Sequence, residues 1–67
     1  MEAGQIGRRV RAFRKLKRVQ QTELAKLVGL STTVLGRIER GEKLPQEEML
    51  AKIAQALHIQ IEELTGE

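Results

Sequence analysis

Apolar residues recur along this chain at three- and four-residue spacing and never alternate for long enough to make a strand. Ile6, Val10 and Phe13, with Leu16 or Lys17 closing the row, predict one buried stripe on a first helix. Arg8, Arg9, Arg11, Lys15 and Arg18 fall on its opposite face. Leu24, Ala25, Leu27 and Val28 predict a short second helix, which Gly29 ends as a left-handed C-terminal residue. Ser31 is placed to cap a third helix that buries Leu35 and Ile38 and stops at Gly41. Pro45 precedes Gln46-Glu47-Glu48, which puts acidic residues in the first turn of a fourth helix, where the dipole favours them. Its apolar face is Met49, Leu50, Ile53, Ala54 and Leu57. Ile59, Ile61 and Leu64 predict a last short helix. The expected fold is all-α: a compact bundle of five short helices in a single domain spanning residues 1–67.

Composition narrows the picture. Cys is absent and Phe13 is the one aromatic residue, so the core must be aliphatic, with no disulfide or thiolate site to staple it. Asp is absent, there is one His, and no nucleophile–base pair, paired carboxylate or glycine-rich phosphate loop is visible, which argues against an enzyme. No cofactor, metal or small-molecule ligand is expected. His58 with Glu62 and Glu63 is better read as a helix-ending residue standing where Gly often stands than as a metal site. No apolar run reaches the roughly 20 residues of a membrane span, and Met1–Gln5 has no apolar targeting region, so a cytoplasmic protein is expected. Charge is polarised: residues 1–20 carry seven basic side chains and one acidic, whereas residues 46–67 carry one basic and five acidic. One end suits a polyanion and the other repels it, although a solvated basic helix would look the same.

The segment Gln21 to Arg40 carries the most information. Two short helices meet at a tight turn. Ala25 permits a close crossing, Gly29 tolerates the positive φ of the turn, and Leu24, Val28, Leu30, Leu35 and Ile38 seal the corner. With Arg14, Gln21, Glu23-Leu24-Ala25, Gly29, Ile38-Glu39-Arg40-Gly41, Pro45 and Ala54-Gln55-Ala56-Leu57, the chain resembles the lambda-repressor/Cro-type helix-turn-helix family, the xenobiotic-response-element class of bacterial and phage regulators, over about residues 6–65. It departs from the family at Gln20, Gln46 and Gln60, where Ser or Thr usually caps a helix, and at His58, where Gly is frequent. Gln caps poorly, so these helix ends are expected to be less well held.

The resemblance implies sequence-specific binding of double-stranded DNA, with a recognition helix at about 32–40 in the major groove. Thr32, Thr33 and Arg37 would face base edges, with Arg37 suited to guanine. Val34 would either touch a thymine methyl or be covered by the loop before the fourth helix. Gly36 would allow close approach either of the DNA backbone or of another helix. Gln20, Gln21, Ser31, Arg40 and Lys43 would contact phosphates, which position the protein without reading sequence. Arg14 and Glu39 would form a structural ion pair tying the first helix to the end of the third. The expected partner is a roughly palindromic operator bound by a homodimer, as a transcriptional repressor. Met49, Ile61 and Leu64 are candidates for the dimer surface. The rival reading is a protein-interaction module of the same fold, coactivator-like or antitoxin-like. The absence of Asp and Glu from the face Thr32-Thr33-Arg37 favours DNA.

Overall fold

The computed structural model describes residues 2–67. Five helices follow in order: α1 (Ala3–Leu16), α2 (Gln21–Val28), α3 (Thr32–Glu39), α4 (Glu47–Ala56) and α5 (Ile61–Thr65). The described residues hold no strand. Each helix turns one apolar stripe inward. Ile6 and Val10 of α1, Leu24, Ala25 and Val28 of α2, Leu35 of α3, Leu50, Ile53 and Ala54 of α4, Leu57 just after it, and Leu64 of α5 form one continuous core. Phe13, Val19, Leu30, Met49, Ile59 and Ile61 pack around it, half-buried.

Two expected core positions lie outside. Leu16 is 71 % exposed and Leu27 62 % exposed, and Lys17 is exposed as well. The stripe of α1 ends at Phe13 because α1 itself ends at Leu16, and Val19 on the following turn supplies the next apolar contact. Leu64 is fully buried, which removes it from the candidate dimer surface; Met49 and Ile61 stay partly accessible.

Four helices end in the same way. A residue in the left-handed region stands just past the helix, and the N–H after it reaches back five residues: Val19 to the Arg14 carbonyl, Leu30 to Ala25, Glu42 to Arg37 and Ile59 to Ala54, all at 2.9–3.0 Å. Gly29 and Gly41 occupy this position without cost, but Arg18 and His58 also adopt it, each with φ of 58°. His58 thus stands in for Gly as expected, whereas Arg18 gave no such signal.

Helix starts are less uniform. The Ser31 hydroxyl accepts from the Val34 N–H at 3.1 Å and caps α3. Gln20 and Gln46 make no side-chain cap, as their side-chain length leads one to expect. The start of α5 is better held than expected, because the Glu63 carboxylate accepts from the Gln60 backbone N–H at 2.9 Å.

The tightest crossing lies between α1 and α3. A Cβ at Gly7 would strike the backbone carbonyl of Ile38 and come within 2.7 Å of the Glu39 carbonyl oxygen. Backbone cannot yield as a side chain can, so Gly7 sets how closely α1 seats on the end of α3. Gly7→Ala is expected to lower stability by about 2–3 kcal/mol, read as a lower denaturant midpoint at unchanged slope. His58→Gly is expected to raise stability by about 0.5–1 kcal/mol, since relief of left-handed strain outweighs the added chain entropy, while His58→Ala gives no such gain.

Candidate nucleic-acid interface

The helix pair α2–α3 meets at Gly29, whose φ is 77°. That turn leaves one side of α3 outside the core. Thr32, Thr33 and Arg37 are exposed on it, with Thr33 and Arg37 one turn apart on a common face. Val34 is half-buried and lines a groove of about 350 Å³ with Leu30, Leu44, Pro45 and Met49. It is thus flanked on one side by the segment leading into α4 and keeps part of its surface open. Gln20, Ser31, Arg40 and Lys43 are exposed and Gln21 is half-buried.

The far end of α3 is fixed by a polar knot. Arg14 and Glu39 are only 8 % and 6 % exposed. The Arg14 Nε donates to Glu39 Oε2 at 2.7 Å and Nη2 to Oε1 at 3.0 Å, a two-pronged fork on the carboxylate. The remaining Arg14 Nη1 donates to the Val19 carbonyl at 3.0 Å. Gln21 Nε2 donates to Glu39 Oε1 at 3.1 Å. A carboxylate only accepts, so the Gln21 amide must turn its nitrogen inward. One buried anion thereby joins α1, the turn after it, the first residue of α2 and the last of α3. No buried side-chain polar atom among the described residues lacks a partner.

Gly36 forms the floor beside this knot. Its missing Cβ would lie 3.1 Å from Arg40 Nη1 and 3.6 Å from Gln21 Nε2, so it is overlaid by two flexible side chains and not by a helix backbone. Arg11, Gln21, Gly36 and Arg40 line a shallow groove of about 310 Å³ in front of the ion pair, at the N-terminus of α2. Arg11 and Arg40 bring positive charge to its rim, while the Glu39 carboxylate at its back is taken up by Arg14 and Gln21. The sequence places Arg11 on the basic face of α1 but not among the phosphate contacts. Its spacing of three from Arg14 places it one turn away on a neighbouring face of α1, but only the packing of α1 on α3 brings it beside Gln21.

Arg40 is paired in turn. Its Nε donates to Glu42 Oε2 at 2.8 Å and its Nη2 to Oε1 at 3.5 Å, and both residues are exposed. That hydrogen bond, and then the Arg40 charge, hold the Glu42 carboxyl below the usual carboxylate range. Among the described residues no three His, Cys, Asp or Glu side chains gather as a metal ion would need, and no helix is long and apolar enough to cross a membrane.

The helix-turn-helix family model matches residues 10–64. The chain belongs to the helix-turn-helix family. It is a transcriptional regulator of the lambda-repressor/Cro type. It is 48 % identical, over 96 % of its length and 93 % of the relative's, to the uncharacterised HTH-type transcriptional regulator YazB of Bacillus subtilis. The restriction-modification controller protein C.AhdI from Aeromonas hydrophila superposes with a TM-score of 0.88 at 35 % identity, covering 92 % of this chain and 94 % of that one. The c2 repressor of Salmonella phage P22, solved in complex with a synthetic operator, superposes with a TM-score of 0.81 at 36 % identity, covering 88 % of this chain and 89 % of that one.

In this helix-turn-helix regulator, Glu39→Ala would strand the Arg14 guanidinium in a nearly dry site and free Gln21. The expected loss is about 3 kcal/mol of unfolding free energy. Replacing both partners with apolar residues of similar volume, as in Arg14→Met with Glu39→Leu, is expected to recover most of it. Thermal melts of the two variants check the pair.

Proposed function

We propose that this regulator is a sequence-specific double-stranded DNA-binding repressor that reads the major groove with α3 as a homodimer. One observation carries the reading. Thr32, Thr33 and Arg37 form an uncharged-to-basic exposed strip on a helix whose two ends are held by separate devices, the Ser31 cap and the Glu39 knot. A helix entering the groove by its N-terminal end directs those residues at base edges. Arg37 matches the two acceptors of guanine, and the threonines match hydroxyl or methyl contacts.

The second ring of contacts is to phosphate. Gln20, Gln21, Ser31, Arg40 and Lys43, joined by Arg11, flank the strip and would set register. Gln21 keeps one N–H free after its bond to Glu39, so it can brace α3 and hold a phosphate at once. The molecule measures 26 × 23 × 20 Å. Recognition helices one turn of DNA apart, about 34 Å, therefore need two copies, which favours a roughly palindromic operator. Residues 1–67 act as one DNA-binding domain in this reading. It assigns the protein to the bacterial cytoplasm, in keeping with its bacterial and phage relatives, and gives it no enzymatic role.

Selection from a randomised duplex library at about 0.15 M salt tests the proposal. The wild type is expected to enrich a two-fold-symmetric site. Arg37→Ala is expected to lose one guanine preference in each half-site, at a cost of about 1–3 kcal/mol per half-site. A wild type that enriches nothing above a salt-sensitive background would overturn base reading.

A further inference from the structure

The reading face carries Arg37, Arg40 and Lys43 within two turns, and one carboxylate stands among them. Glu39 does not count, because it is turned inward onto Arg14. Glu42 is the exception. Its backbone N–H donates to the Arg37 carbonyl at 2.9 Å, so the end of α3 fixes where it sits. Its carboxylate receives Nε and Nη2 of Arg40, the same forked edge that a phosphate would take. The side chains keep 58 % and 51 % of their surface exposed, so the contact is made in water and does little for the fold. The Arg37 charge also reaches the Glu42 carboxyl. Gly36 completes the arrangement by letting the Arg40 guanidinium lie back along α3 toward Gln21.

We propose that Glu42 is an internal phosphate mimic: it occupies Arg40 in the free protein and weakens the sequence-independent part of DNA binding. The inference rests on the reading that this face meets DNA. To contact a backbone phosphate through its forked edge, Arg40 must leave Glu42. The abandoned carboxylate then lies beside a polyanion and takes up a cation from solution. This offsets the counterion release that the new phosphate contact brings, so the wild-type salt dependence is shallower than the count of basic residues suggests. Base readout by Arg37, Thr32 and Thr33 keeps its preference, because the Glu42 carboxylate is hydrogen-bonded to Arg40 and feels Arg37 only through its charge, the smallest of the causes that lower its pKa.

The test is a double-mutant cycle of Glu42→Gln and Arg40→Ala, with binding measured on the selected operator and on a scrambled duplex across a salt series. Glu42→Gln is expected to tighten both complexes by a similar factor, about two- to fivefold, and to steepen the salt slope by up to about 0.9. In the Arg40→Ala background the gain is expected to shrink to what repulsion between the free Glu42 carboxylate and the DNA accounts for. In the free protein, the Glu42 carboxyl resonance should titrate below the ordinary carboxylate range and move up toward it in Arg40→Ala, where only the weaker pull of the Arg37 charge remains. A gain that is undiminished without Arg40 means general charge repulsion alone and overturns the proposal. So does a changed base preference, which would mean Glu42 touches bases, or an ordinary titration in the wild type. If the operator is bound and the cycle is flat, this inference alone falls. If no operator is selected yet the cycle shows coupling on scrambled duplex, base reading falls and the role of Glu42 stands.

Discussion

The buried Glu39 carboxylate is the constraint on which the rest of the structure turns. Three hydrogen bonds reach it, two from Arg14 and one from Gln21. Burying a charge in a domain this small is costly unless every lone pair has a use. Here the cost is offset by a strong fork and by the geometry the fork imposes. The last residue of α3 is tied to the last turn of α1 and to the first residue of α2. The helix proposed to enter DNA is thus oriented by groups behind it, while its outward side chains stay free.

The same economy shows in how the helices are joined. Each of the first four ends at a left-handed residue followed by a backbone bond reaching five residues back. The chain therefore reverses in few residues, and its short helices can all turn an apolar stripe to one core. Gly7 contributes from the other side. Its bare Cα lets α1 press onto the carbonyls at the end of α3, next to the residue that Arg14 grips. The packing distance and the ion pair therefore reinforce each other. A wider crossing would lengthen the fork, and a broken fork would leave the close crossing without a reason.

Charge is arranged on two scales. Over the whole chain, basic residues gather at the start and acidic ones at the end, which orients the molecule toward a polyanion from a distance. Within a single turn at the end of α3, Arg40 and Glu42 neutralise one another. The first arrangement favours encounter with any nucleic acid. In the proposed reading the second moderates it and leaves discrimination to the uncharged hydroxyls and to Arg37.

The sequence by itself determined much of this: five helices, their order, the turn at Gly29 and the Ser31 cap, while the Arg14–Glu39 pair and His58 in a glycine position came with the family resemblance. Those features are local, or are carried by a motif whose spacing is distinctive. Periodicity marks which residues are apolar but not where a helix stops, so Leu16 and Leu27 were read as core although both face solvent. Residue type did not reveal that Arg18 takes a left-handed backbone, because Arg has no preference for it. Only the tertiary structure decided that Gly7 is a contact point, that Arg11 stands beside Gln21, that Gly36 lies under Arg40 and that Leu64 is buried. Each of those facts depends on the distance and angle between helices far apart in sequence. Such distances are set by the packing of the whole core and not by any one segment's own preferences.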